Sequence, residues 1–328
     1  MATFECGNKG PAVALLSEYD ALPILGHAVA HNLTGIASVG AAIALSKISK
    51  DLSGKIICIG TPGETSFDSK VLMIKDSIFK DIDYTLIVQS GDGHYVNPLY
   101  LAEEGLQFTF RGKASHAAAA PHQGINALDA ILLLFDSINA LRQQLKEDVR
   151  IHGIILKGGE AVNIIPDHTV ARFSIRSKKR KYLNEVIEKI KNCAKGAALQ
   201  TGASVKISYF EKSIDNLLRN EVLSKEYADN LTSLGETIDP DLKIFGSSDV
   251  GNISYLMPTI SPMIQVAEKG TELYTKQMTN SANSQLGHNG LIIGAKTLAM
   301  TCVKIMSDDN FGKNVKEYFN KQLKQVEE

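Results

Sequence analysis

Short apolar runs alternate with longer helical stretches through the first third of the chain. Ala12 to Ser17 is apolar and bounded by Pro11 and an acidic turn, so it reads as a buried strand. Leu33 to Ile48 is rich in Ala, Ile, Leu and Val, lacks Pro, and ends near Lys47 and Lys50. That pattern predicts a buried helix whose terminal cations complement its dipole. Lys55 to Gly60 and Tyr84 to Val88 read as two more buried strands. Strand, helix and strand at this spacing predict an α/β fold, a mainly parallel sheet covered by helices.

The pattern changes near Leu106. A strand over Leu106–Phe110 is followed by a long helix from Asn126 to Leu145. Ile151 to Leu156 and Thr169 to Ser177 then alternate apolar and polar positions, as in a half-exposed antiparallel sheet. An amphipathic helix over Lys181–Leu199 and a strand over Val205–Phe210 complete a β-α-β-β-α-β order, the ferredoxin-like split motif. After about Asn216 a helix over Glu221–Leu234, a strand over Thr259–Val266, a closing helix over Gly290–Met306 and a charged helical tail from Lys313 are expected. The implied organisation is one domain built from 1–105 and 216–328, with an α+β domain inserted at 106–215.

Composition narrows the function classes. A chain of 328 residues has room for real cores, and its net charge of −1 gives no electrostatic footprint for nucleic acid or an anionic membrane. No apolar run in the sequence is read as a bilayer span, and the N-terminus lacks the basic and apolar regions of a signal peptide. Cys6, Cys58, Cys193 and Cys302 are scattered without a CxxC, which favours reduced thiols and a cytoplasmic protein. Trp is absent, so a carbohydrate or single-stranded nucleic-acid platform is disfavoured. Lys178-Lys179-Arg180-Lys181 reads as a solvated turn before a helix.

Candidate chemistry begins at Ser17-Glu18-Tyr19-Asp20-Ala21-Leu22-Pro23, which leads into Gly26-His27-Ala28-Val29-Ala30-His31-Asn32. Two His residues at i and i+4, beside two carboxylates, suggest the beginning of a zinc site. Further blocks are Gly60-Thr61-Pro62-Gly63-Glu64, Gly112-Lys113-Ala114-Ser115-His116, Gly124-Ile125-Asn126-Ala127-Leu128-Asp129-Ala130, Asn163-Ile164-Ile165-Pro166 and Gly246-Ser247-Ser248-Asp249-Val250-Gly251-Asn252. In this order they resemble the metal-dependent amidohydrolases and dipeptidases of the aminoacylase and carboxypeptidase G family, peptidase family M-20. The nearest branch holds auxin-conjugate hydrolases, aminobenzoyl-glutamate hydrolases and β-alanyl-lysine dipeptidases.

The resemblance implies a zinc-exopeptidase-like domain with a lid and dimerisation domain, and hydrolysis of an N-acyl amino acid or dipeptide amide. It begins near Gly10, so the first domain is expected to be short at its N-terminus. The resembled enzymes hold two zinc or manganese ions with five side chains. Their bridging Cys falls on Val29, their first His on His31, their carboxylate on Thr65, and their remaining His residues on Gln89 and Tyr274. Val offers no lone pair, and Thr, Gln and Tyr are poor substitutes for thiolate, carboxylate and imidazole. One ligand of five is retained, His31, so no bound metal cofactor is expected and hydrolysis is expected to be impaired or lost.

Other roles follow from the same resemblance. Glu64 matches the general base, or it is an acidic residue at a strand end. His116 matches the lid His that steadies the oxyanion, often in the neighbouring subunit's site, or it is a polar residue at the lid edge. Asn163, Arg176 and Asp249 match substrate-facing positions, with a structural salt bridge the other reading for Arg176. His31 and His27 are also readable as hydrogen-bonded core residues on one helical face, and Asp20 as a bracket for the Ala21-Leu22-Pro23 turn. Two alternatives remain open: an active peptidase with a rearranged site, such as His31 with Asp68, and a non-catalytic subunit that binds a peptide or an intact relative. The expected partners are therefore an acyl amino acid or dipeptide and a second chain paired through the lid, either a copy or an intact relative.

Overall fold

Strand β2 (Asn8–Glu18) sets the architecture of the first unit because its side chains alternate between two cores. Val13 and Leu15 face one apolar cluster, while Ala12, Ala14 and Leu16 face another. A strand buried on both faces needs helices on both sides. The computed structural model describes residues 1–240 and 246–327 and supplies them.

Strand β1 (Ala2–Glu5) lies at one edge, antiparallel to β3 (Ser53–Thr61), and the expected elements did not include it. β3 runs parallel to β2, and β2 runs parallel to β4 (Tyr84–Leu86). Between them lie helices α1 (His31–Lys47), α2 (Glu64–Phe67) and α3 (Ser69–Lys75). The strand expected over Tyr84–Val88 ends at Leu86, and a separate strand, β5 (Gln89–Gly91), begins three residues later.

The chain then forms a second unit, Leu101–Asn216. Its elements are β6 (Ala102–Arg111), α4 (Ala127–Leu141), β7 (Arg150–Lys157), β8 (His168–Ser177), α5 (Arg180–Thr201) and β9 (Ser204–Tyr209). The four strands form an antiparallel sheet in the order β7-β8-β6-β9. Leu106, Phe108 and Phe110 pack with Phe173 and Ile175 against Ile131 and Leu134 of α4 and Val186 and Ile190 of α5. The Asn126 side chain caps α4 by accepting from the Leu128 N–H at 2.9 Å. Helix α4 ends four residues before the expected Leu145, in a 3-10 turn at Arg142–Gln144.

Back in the first unit come α6 (Glu221–Ser233), α7 (Val250–Ile253), β10 (Thr259–Ile260), β11 (Met263–Gln265), α8 (Lys276–Ser281), α9 (Gln285–Ser307) and α10 (Asp309–Glu327). The strand expected over Thr259–Val266 is split. β10 pairs with β4 and β11 with β5, each in parallel. Pro262 has no N–H to continue the ladder, and its carbonyl accepts from the Gln89 N–H at 2.8 Å. Both strands therefore break at the same level, where Gln89 enters the site.

By length and composition α9 would reach across a bilayer, contrary to the reading of the sequence. Here it is a core helix: Gly290, Gly294, Leu298, Cys302 and Ile305 are buried. A Cβ on Gly290 would stand 2.1 Å from the Gln265 carbonyl, so only glycine allows this close approach.

Candidate active site

The site is assembled where β2 stops. Ser17 and Glu18 end the strand, and α1 crosses so close that a Cβ on Gly35 would lie 2.0 Å from the Glu18 carbonyl oxygen. This approach sets the first turn of α1, and with it His31, over the Glu18 carboxylate. The residue before α1, Ala30, adopts a left-handed backbone with φ of 53°, a conformation costly for a side chain with a Cβ. Asp68 and Tyr274 are left-handed as well. Non-glycine residues in this region gather where the fold over-determines them, often at functional sites.

His31 is held from both sides. Its Nδ1 is 2.9 Å from Asp20 Oδ1, and its Nε2 is 3.3 Å from Glu18 Oε2. The Thr65 N–H and hydroxyl both donate to Asp20 Oδ2, at 3.1 and 2.5 Å. The Gln89 amide donates to Glu18 Oε2 at 3.0 Å. The other Glu18 oxygen lies 2.7 Å from the Lys70 ammonium, an ionic contact rather than a well-directed hydrogen bond. Lys70 Nζ also donates to Asp249 Oδ1 at 2.6 Å, and its backbone N–H donates to Asp249 Oδ2 at 2.9 Å. Lys70, Glu18 and Asp249 are fully shielded from solvent.

Charge and burial compete throughout this cluster. Burial pushes the Glu64 carboxyl up to about 8, and the neighbouring Glu18 adds to the shift. Burial would raise Glu18 too, but Lys70 and His31 outweigh it and hold Glu18 below the usual carboxylate range. Asp20 is also held below the usual carboxylate range: the hydrogen bonds from His31 and Thr65 overcome its partial burial. Burial raises Asp249 despite Lys70. His31 is raised because Asp20 and Glu18 outweigh desolvation, which favours the imidazolium donating from Nδ1 to Asp20. Lys70 is held firmly protonated by Asp249 and Glu18 against its own desolvation.

Val29, Gln89 and Tyr274 line one small cavity together with Glu64. Three of the positions that the resemblance assigns to ligands, scattered along the sequence, thus meet at the residue it assigns to the general base. The cavity is about 30 Å³, room for about one water. Thr65, the remaining substituted position, is directed to Asp20.

Several expectations need correction. Asp249 is not a substrate-facing group: its carboxylate is buried and engaged by Lys70. The partners of His31 are Asp20 and Glu18. Asp20 therefore does more than bracket a turn. His27 precedes α1, so it does not share a helical face with His31. Arg176 pairs with Glu103 at 2.9 Å, the salt-bridge reading. In the second unit, Nδ1 of exposed His116 accepts from the Ala118 and Ala119 N–H groups, at 3.2 and 3.1 Å, which leaves Nε2 as the protonated nitrogen of the neutral ring. The exposed Asn163 lies beside this turn, its carbonyl accepting from the Ala117 N–H at 3.0 Å. Lys70 escaped the sequence reading altogether. Its only signal was a single charge opening the apolar run Val71-Leu72-Met73-Ile74.

The first unit is a mainly parallel sheet covered by helices, and the inserted second unit is an antiparallel sheet backed by two helices. Residues 105–202 match the peptidase dimerisation domain family. The chain is 35% identical over 327 residues to the Xaa-Arg dipeptidase of Mus musculus, covering 97% of this chain and 76% of that protein. To one of the p-aminobenzoyl-glutamate hydrolase chains of Escherichia coli (strain K12) it is 26% identical over 380 residues, covering 92% and 79%. Among solved structures it resembles the Bacillus subtilis YXEP protein, described as a dinuclear metal binding peptidase from the M20 family. That likeness has a TM-score of 0.73 at 16% identity and covers 93% of this chain and 84% of that one. The chain belongs to the M20 peptidase family.

The residues here do not fit a dinuclear metal centre of the kind ascribed to the YXEP protein. Val29 has no lone pair to offer, and Gln89 and Thr65, whose hydrogens go to Glu18 and Asp20, present only weak neutral oxygens. Both His31 nitrogens face carboxylates. The carboxylates of Glu18, Glu64 and Asp249 do lie within 4.8 Å of one another, but the Lys70 ammonium is already bonded to two of them.

Proposed function

We propose that this chain is a member of the dipeptidase and amidohydrolase family that does not carry out metal-assisted hydrolysis on its own. Its ligand class is an N-acyl amino acid or dipeptide, as in the relatives' names, with a dipeptide ending in Arg the first to test. The observation that carries the reading is the closed network at the ligand positions: both ring nitrogens of His31 face carboxylates, the neutral Gln89 and Thr65 spend their hydrogens on Glu18 and Asp20, and Val29 offers no lone pair. No zinc or manganese is expected at His31.

Pairing of two copies through the lid is part of the proposal. The matched dimerisation domain supports it, as does edge strand β7, where Ile154, Ile155 and Leu156 are exposed. His116, with its protonated Nε2, is the group that such a subunit offers to a partner, a copy or an intact relative. The free thiols Cys6, Cys58, Cys193 and Cys302 support a cytoplasmic placement.

The test is metal content by mass spectrometry and turnover of N-acyl amino acids and dipeptides, at saturating zinc and manganese. Neither stoichiometric metal nor turnover is expected. Val29→Cys, Thr65→Glu, Gln89→His and Tyr274→His made together should restore metal binding, while any one alone should not. Metal-dependent turnover by the unaltered chain, abolished by Glu64→Gln, overturns the proposal.

A further inference from the structure

The carboxylates of Glu18, Glu64 and Asp249 sit within 4.8 Å of one another. Three carboxylates this close in a water-poor site cannot coexist without a cation or a proton. In a metalloprotein such a cluster invites a divalent ion. Here the chain brings its own positive charge. Lys70 is the second residue of α3, and its side chain runs wholly inside the fold to end between Glu18 and Asp249. The ionic contact to Glu18 is 2.7 Å and the hydrogen bond to Asp249 2.6 Å, both short for an ammonium facing a carboxylate. Asp249 grips Lys70 twice, at Nζ and at the backbone N–H, so the ammonium is anchored at both ends of its stem.

We infer that the Lys70 ammonium is the resident cation of the Glu18–Glu64–Asp249 cluster, occupying the place that a divalent ion would otherwise take. This rests on the reading that the unaltered chain holds no metal in this cluster, and extends it by naming what fills the charge deficit. The ammonium accounts for one charge and a divalent ion would account for two. A lysine-filled cluster therefore retains its carboxylates but loses the polarising power that metal-assisted hydrolysis needs. The same geometry defines a latent metal site, closed by one side chain.

The test uses the full chain with Lys70→Met, which keeps the stem volume and removes the charge. Thermal melting and metal binding are measured with manganese, zinc and EDTA. The unaltered chain should melt at the same temperature in all three. Lys70→Met should be rescued by metal, its melting temperature rising by at least about 5 °C at a metal concentration far above Kd, and should bind about one ion per chain. Adding Glu18→Gln to Lys70→Met should abolish that response. If Lys70→Met does not fold even with metal, the double variant, which restores the net charge, must fold; its failure to do so overturns the inference. A folded Lys70→Met chain indifferent to metal also overturns it, as does a divalent ion bound by the unaltered chain and lost on Glu18→Gln. Turnover with a metal held at His31 and unaffected by the state of Lys70 would sink the proposed function while leaving this inference standing.

Discussion

Lys70 in the first unit and Arg180 in the second each gather two carboxylates, and they do so under different conditions. Lys70, Glu18 and Asp249 have no solvent exposure. Arg180 is 14% exposed and bonds Glu104 at 3.0 Å and Asp215, 26% exposed, at 2.6 Å. Its fork also donates to the carbonyls of Glu103 and Ile214, and its N–H to the Asn216 side chain at 2.9 Å. Arg180 thus ties together the two segments through which the chain enters and leaves the second unit. A planar fork with many donors suits a partly wet junction of backbone and side chains. A compact ammonium suits a closed pocket of carboxylates. Arg180 therefore serves as a strap at the unit's base, whereas Lys70 neutralises charge that water cannot reach.

The largest effect should come from Lys70. Lys70→Met, without metal, leaves buried carboxylates uncompensated and should cost about 3–5 kcal/mol in urea denaturation. Arg180→Ala should cost less, about 2–3 kcal/mol, because water can replace part of what the fork supplies. A greater loss at Arg180 than at Lys70 would reverse the ranking and remove the distinction between the two cations.

Glu64 refines the contrast through pH. Its carboxyl is lifted from an ordinary 4.5 to about 8, so between those values the folded chain holds a proton that the unfolded chain has released. Stability from this group therefore falls as pH climbs through that window. Glu64→Gln should flatten the decline and leave the variant more stable than the parent at pH 9, read from urea midpoints across pH. An unchanged pH profile would mean that Glu64 does not share the buried charge cluster. The smallest effect is expected at Ala30, whose φ is 53°. Ala30→Gly should relieve the left-handed strain and raise stability by about 1 kcal/mol, measurable as a small increase in melting temperature.

Much of the fold was legible because burial writes a period into the chain. The apolar run from Ala12, the alternation through Thr169–Ser177 and the helical spacing of Lys181–Leu199 identify strands and a helix that the structure contains. The break at Leu86 was not legible, because Tyr84–Val88 stays apolar across it. Ser261 and Pro262 did mark the break after Ile260, but only the paired strands show that the ladder changes sheets there. The motifs also brought Glu64, His31 and the substituted positions Val29, Gln89 and Tyr274 into view.

Which residue types stand at the ligand-matched positions, and which segments must be buried, could be read from the chain alone, since both follow from side-chain chemistry and spacing. What those residues do instead of binding a metal is a matter of the folded arrangement. Gln89, Thr65 and Asp249 could each have faced a substrate or solvent, and their partners lie 71, 45 and 179 positions away in the chain. Lys70 is the clearest case. No periodicity distinguishes a lysine that snorkels to water from one whose stem is enclosed, because burial of its ammonium depends on β2, α3 and the turn before α7 meeting at one point. Electrostatic compensation is a property of that meeting, and it comes into existence only when the chain has folded.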